Sequence, residues 1–379
     1  MPAVKPPVSI SAAPRDNADL LRAWQLSAPT PMQTPQWMLA WWDIYRRTGD
    51  RLHVIALQQG NHIVAVVPAY VRMHRFWANE LRLLGDACVC SDFQTLLCTD
   101  GDGADAARIV AEWLSAQPEK HGISLATWDG IAPGCSNTQR LFEELERTNH
   151  LLVRESISHT WRIETAQGWT EVLKRMSRTG RKQSRNMLNR LDRGMEFAVE
   201  WAQAMDDVQQ AIRICMDLHQ QQWLLSGCQD SCGDGRFEEF LLRAARGLVP
   251  LGMMEVGVLR HRRQSVAALI ALVDAAGNRY FYQTGRSPAA SHLSPGRMLF
   301  LAAIRRACDL GAHFVDFLRG DELYKRRFGA TPTPCLRVRI IPPDRLSRLY
   351  YHAWTLGRGF KHCATEGISS FAEPIPTVS

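Results

Sequence analysis

The chain has 379 residues, of which 46% are hydrophobic and 22% charged, and a formal net charge of +7. That length suits two domains of ordinary size, and the composition excludes a disordered or fibrous chain. The positive balance suits an anionic partner without choosing among a nucleotide, RNA and an acidic carrier protein.

The first fourteen residues carry four prolines and no apolar core, so they read as a loose tail and not as a signal peptide. The longest apolar runs, 63–67 and 266–273, fall far short of a membrane span, and the expected location is the cytoplasm. Ten cysteines contain no C-x-x-C pair and have no histidine at zinc-ligand spacing, which predicts reduced, mostly buried thiols and no metal.

From 19 to 47 the pattern is helical, with Trp37, Trp41 and Trp42 at a density that predicts core. Strand-like runs follow at 52–57 and 63–70, joined by a Gly-Asn turn, then short strand candidates at 81–84 and 93–97. A helix over 104–116, a strand over 124–128, a helix over 138–148 and a strand over 152–156 complete a first mixed domain, 19–160. The second half, 161–343, repeats the theme. A long helix over 167–191 leads to a strand at 195–202, a helix at 206–224, a Gly/Cys/Asp-rich loop at 226–235 and a helix at 236–246. Strands are expected at 252–259, 265–273, 279–284 and, after a helix over 295–310, at 314–318 and 335–341; the region 344–379 is a terminal helix and tail.

The unit that organises this half is the strand, turn, helix and strand ending in DFLRGDELYKRRFG. Pro295 suits the first helical position, where its missing N–H is not needed, and the free N–H groups and positive dipole end that follow Ser294 read either as a phosphate site or as an ordinary helix start that binds nothing. A second polar feature is 174–193, with eight Lys/Arg and one acid. Arg178, Arg181, Lys182 and Arg185 follow the i, i+3, i+4, i+7 rule and form one cationic stripe, read either as a solvated face or as a surface for cofactor phosphates, a carrier protein, an anionic glycan or tRNA.

Together, SPG before a helix and DFLRGDELYKRRFG after the next strand resemble the bacterial CelD-like acetyltransferases of cellulose-biosynthesis type. These are members of the GNAT superfamily and related in fold to Fem-type peptidyltransferases. The segments 30–45, 177–193 and 218–223 fit the same pattern, so the resemblance covers about 30–341. It implies an α/β fold of tandem GNAT-like domains and acyl transfer from acetyl-CoA or another acyl-CoA to an amine or hydroxyl of a cell-envelope or exopolysaccharide precursor, with no metal. A Fem-like transferase using aminoacyl-tRNA and a catalytically silent adaptor in polysaccharide biosynthesis are the alternatives.

Acyl transfer needs a phosphate cradle, donors for an oxyanion and a proton path to the leaving thiolate. The superfamily's Arg/Gln-x-x-Gly-x-Gly/Ala loop is missing here. The resemblance assigns its place to Gln283 and Gly285 at the strand end and to Ser294, Pro295, Gly296 and Arg297 at the helix start. It gives Tyr324 the role of proton donor to the thiolate, with simple packing as the other reading. Lys325 matches the lysine of the Fem-type Lys-x-x-Phe-Gly pattern. Asp316 and Glu322 are candidate bases or salt-bridge partners of nearby arginines, and His219 with Trp223, one turn apart, are candidates for the acceptor pocket.

Overall fold

The computed structural model describes residues 8–10, 13–73, 78–86, 89–99, 103–226 and 235–356, without the side chains of 8–10, 223, 225 and 226. Its centre is one mixed sheet to which both halves of the chain contribute. In the first half lie β1 (Val8–Ile10), β2 (Arg51–Gln59), β3 (His62–Arg72), β4 (Asn79–Leu83), β5 (Leu97–Cys98), β6 (Ile123–Ile131) and β7 (Leu151–Glu164). The second half adds β8 (Phe197–Ala202), β9 (Met254–His261), β10 (Gln264–Val273), β11 (Arg279–Arg286), β12 (Phe314–Arg319) and β13 (Thr331–Ile341). The order is β1-β2-β3-β4-β6-β13-β7-β12-β11-β10-β9-β8, with β5 beside β3.

Two strands weld the halves. The last strand, β13, returns to lie between β6 and β7, pairing with 126–131 on one side and 151–162 on the other. In turn β7, fourteen residues long, reaches far enough to pair also with β12. The sequence pattern predicts this strand only to 156. Its continuation, Ile157 to Glu164, alternates poorly in hydrophobicity because polar Ser158 and His159 meet Asp321 beyond the sheet.

Helices cover both faces. On one lie α1 (Ala18–Ser27), α2 (Pro35–Tyr45), α8 (Met205–Ser226) and α9 (Arg236–Leu248), and their core runs without a break from Leu20 to Leu318. Trp37 sits at its middle, its ring 4.7 Å from Phe240 and 4.8 Å from Tyr282. The tryptophan-rich helix is therefore core, as its density predicted. On the other face, α3 (Gly103–Ser115) and α5 (Ser136–Arg147) cover the first half, while α6 (Trp169–Arg175), α7 (Arg178–Asp192) and α10 (Pro295–Asp309) cover the second; α4 (Gln117–His121) is a single short turn after α3. Period-two alternation of 54–57 and of 268–271 between the two cores is what a sheet covered on both sides requires.

Two long helical patterns are each broken. Pro29, Pro31 and Pro35 separate α1 from α2, and Thr34 caps α2 by accepting the Trp37 N–H. Between α6 and α7 the chain extends at Met176 and Ser177, where the Ser177 hydroxyl accepts the Gly180 N–H at 3.1 Å and starts a new helix. Val8–Ile10, expected in a loose tail, instead pairs antiparallel with 54–56. The loop 93–97 is strand only at its end, and most of the Gly/Cys/Asp-rich loop at 226–235 lies outside the described residues. The terminal helix is present over 345–356.

Candidate active site

Strands β11 and β12 run parallel but share only two registered pairs, Arg279↔Val315 and Tyr280↔Asp316, before they part. The bend belongs to β12. Leu318 has φ 58°, a left-handed conformation costly for a branched side chain. It is held because the buried Asp316 carboxylate accepts the Leu318 N–H at 2.8 Å and Asp92, from the first half, accepts the Arg319 N–H at 2.9 Å. A fork results, open towards the start of α10.

A cavity of about 440 Å³ lies against the open end of the fork on the α10 side. Its wall includes Thr284, Gly285 and Arg286 from β11, Ser294, Gly296 and Arg297 at the start of α10, and Tyr324 and Arg327 from the turn after β12. Ser294 takes a left-handed conformation with no side-chain cap, so the first N–H groups of α10 have no intrahelical acceptor and no capping side chain. A Cβ placed on Gly296 would meet nothing closer than the Arg286 side chain at 3.7 Å, so packing within the protein does not demand glycine there. The helix start stays open to the cavity.

Arg286, Arg297 and Arg327 surround that opening, and among the described residues none has a carboxylate within ion-pair distance. Arg286 donates to Gln222 at 3.2 Å, and Arg297 donates to Gln183 at 2.7 Å, while the Arg297 Nε is buried with no partner. Burial, and then the like charge of Arg327, lower the pKa of Arg297. Three uncompensated guanidiniums beside an open helix N-terminus make a site that an anion would stabilise.

Tyr324 is half-buried, its ring stacked on Phe300 at 5.7 Å and edge-on to Phe317 and Phe328. Burial first, and Glu322 second, push its pKa upward, so the phenol keeps its proton at neutral pH. No partner for its hydroxyl is found among the described residues, although the residue lines the cavity. It is a protonated donor facing open space.

The other expected residues divide. Ser294, Gly296, Arg297, Gly285 and Tyr324 line the cavity, and Pro295 occupies the first position of α10. Gly285 owes its lack of a side chain to packing: a Cβ would collide with the Cys215 carbonyl and lie 2.8 Å from the His219 nitrogen, so its absence lets α8 press on β11. Gln283 is not part of the cavity wall; its carbonyl accepts the Cys215 thiol. His219 lies against the carbonyl of Thr284 at 3.3 Å, and the side chain of Trp223 lies outside the described residues.

Lys325 is 2% exposed, and its ammonium donates to the carbonyls of Leu318, Arg319 and Gly320 at 2.9 to 3.2 Å and pairs with Glu322 at 2.9 Å. It fastens the end of β12 and does not reach the cavity. Glu322 is committed to that ion pair on the exposed side, and Asp316 is sealed in the sheet with Arg162 at 3.2 Å. None of the three presents a free group to the site. The stripe Arg178, Arg181, Lys182 and Arg185 is without ion pairs among the described residues, but Gly180 and Gln183, on another flank of α7, are what meet Arg297. The stripe faces away from the α10 start.

Arg286, Arg327, Gln222, Phe300 and Phe328 also belong to the wall and are not among the site residues expected from the sequence. A signal existed for two of them. Arg286 directly follows Gly285 at the strand end, and Arg327 sits inside KRRFG.

Residues 178–326 match the family described as "Acetyltransferase (GNAT) domain", which spans the fork, the helix start and Tyr324. The chain thus carries an acyltransferase domain. No curated protein matches the chain. Among solved structures, FemX aligns with a TM-score of 0.63 at 10% identity, over 90% of this chain and 99% of that one. A conserved protein of unknown function from Bacteroides thetaiotaomicron VPI-5482 aligns with a TM-score of 0.56 at 12% identity, over 90% of this chain and all of that one. Identities this low show a common fold, one mixed Fem-type architecture, and leave substrates to the site itself.

Proposed function

We propose that this chain transfers a short acyl group from a CoA-type thioester to an amine or hydroxyl of a cell-envelope or exopolysaccharide precursor. The observation that carries the reading is the shared cavity: an uncapped helix N-terminus ringed by unpaired Arg286, Arg297 and Arg327 opens into the same space as the protonated Tyr324. The N–H groups of Gly296 and Arg297 and the three guanidiniums would hold the donor's diphosphate. Its pantetheine arm would then run along the unpaired edge of β11 towards the fork.

In the transfer step the acceptor nitrogen or oxygen attacks the thioester carbonyl, a C–N or C–O bond forms and the C–S bond breaks. Tyr324 gives its proton to the departing thiolate and regains one from the acceptor through solvent. Lys325, Glu322 and Asp316 act only by holding the bend of β12, so the fork stays open without their touching substrate.

The Fem-like alternative, an aminoacyl-tRNA donor, draws support from the unpaired stripe on α7, because a polynucleotide carries phosphates far beyond the cavity. It stands second because that stripe faces away from the start of α10. Calorimetric titration with CoA and with tRNA separates the two. Binding of CoA that weakens at least tenfold in Arg297→Gln supports the CoA donor; binding of tRNA alone, weakened by reversal of Arg178 and Arg185, replaces it.

A further inference from the structure

The inner end of the cavity is not open backbone but aromatic rings. Phe300 of α10 touches four others: Phe281 at 5.6 Å, Phe317 at 5.3 Å, Tyr324 at 5.7 Å and Phe328 at 5.8 Å between centroids. Phe281 and Phe317 follow the last registered pairs of β11 and β12, one on each strand, and meet edge-to-face at 5.3 Å. They stand at the point where the two strands part. Both are at most 5% exposed, and neither lines the cavity, whereas Phe300, Tyr324 and Phe328 do.

The opposite face of the fork is closed in the same way. Phe93, from the first half, packs on Tyr280 at 5.8 Å, Tyr280 on Phe314 at 5.7 Å, and the Arg162 guanidinium covers Phe314 at 3.8 Å. Rings therefore seal the apex of the fork from both sides of the sheet. Aromatic packing of this kind is dense, and ring pairs in these geometries attract one another beyond their buried area, so the cluster does not part to admit a chain at small cost. The cavity volume of about 440 Å³ also lies low in the range of about 300 to 1,000 Å³ typical of small-molecule sites.

We propose that this five-ring cluster fixes the length of the transferred group, with Phe300 as the specificity-determining residue and Phe317 as the positioning residue packed behind it, so that acyl groups of a few carbons are admitted and long aliphatic chains excluded. The inference rests on the donor reading above. A thioester carbonyl brought to Tyr324 has the stacked Phe300 ring directly behind it, and each added methylene must displace a packed ring.

The test is a chain-length series, CoA, acetyl-CoA, butyryl-CoA and octanoyl-CoA, measured by calorimetric affinity and by thiol release over a panel of amine acceptors. Wild type is expected to bind CoA and acetyl-CoA comparably and to lose at least tenfold in affinity or kcat/KM at octanoyl. Phe300→Val, and the milder Phe317→Leu should Phe300→Val fail to fold, are expected to move the optimum to butyryl or longer, read within each variant as a rise of at least tenfold in the ratio of octanoyl-CoA to acetyl-CoA kcat/KM. Wild type that accepts octanoyl-CoA as readily as acetyl-CoA, or folded variants that keep the wild-type length profile, would overturn the inference alone. A chain that binds no CoA overturns the donor reading and this inference with it.

Discussion

The Asp316 carboxylate accepts the backbone N–H of Leu318 at 2.8 Å, two residues along the same strand, and thereby holds Leu318 at φ 58°. Its cost is visible in its ionisation. Burial, only partly offset by Arg162, raises the Asp316 pKa from 3.8 to about 6. The folded state therefore binds a proton more tightly than the unfolded chain does. Stability from this group is fully present below the unfolded value and falls as pH rises from about 4 to about 6, then levels. Asp316→Asn keeps an acceptor for Leu318 and removes the titration. The difference in unfolding free energy, variant minus wild type, should climb across that window and stay flat above it; a difference that is constant from pH 4 to 7 would show that Asp316 does not titrate this way.

The two cavity glycines should behave oppositely. At Gly285 a Cβ collides with the α8 backbone, so Gly285→Ala should destabilise by about 1 to 3 kcal/mol, as overpacking does. At Gly296 the nearest atom is the Arg286 side chain at 3.7 Å, so Gly296→Ala should leave stability within about 0.5 kcal/mol. Gly296→Val should weaken CoA binding by crowding the helix start. Denaturant unfolding of the three variants beside calorimetry separates packing from binding, and equal destabilisation at both positions would contradict the assignment.

Lys325 should matter for folding and not for chemistry. Lys325→Met leaves the buried carbonyl of Leu318 and the part-buried carbonyls of Arg319 and Gly320 with one donor fewer each, and costs about 1 to 3 kcal/mol, since unmade hydrogen bonds carry a desolvation penalty. Turnover per folded molecule, measured well below the variant's melting temperature, should stay within a few-fold of wild type. A variant with wild-type stability and lost kcat would return Lys325 to the reacting centre.

Much of the second half was legible because its signals are local. The Ser-Pro-Gly turn, the apolar run 314–318 and the aromatic spacing of 324 and 328 each depend on a few neighbouring residues, and α10, β12 and the Tyr324 position follow from them. What stayed hidden is set by distant partners. Nothing near Lys325 announces that its ammonium turns inward to three carbonyls, because those carbonyls are exposed only by the bend at Leu318. That bend depends in turn on Asp92, 227 residues away from Arg319 in the chain. The glycine at 285 looked like a phosphate loop because the sequence cannot show α8 lying on it. The length of β7 and the return of β13 between β6 and β7 were missed for the same reason: polar, proline-containing segments such as 331–334 become strand only when a neighbour offers its edge.

Thiol release from acetyl-CoA decides whether the cavity at the start of α10 positions a thioester for Tyr324. The assay runs over amine acceptors with wild type and Tyr324→Phe side by side. Wild type should release thiol, and the variant should show a fall in kcat of about 10²- to 10⁴-fold, with donor affinity and melting temperature unchanged because the ring still stacks on Phe300. Equal rates in the two proteins would contradict the role given to Tyr324, and a wild-type chain that neither binds acetyl-CoA nor releases thiol would contradict the account as a whole.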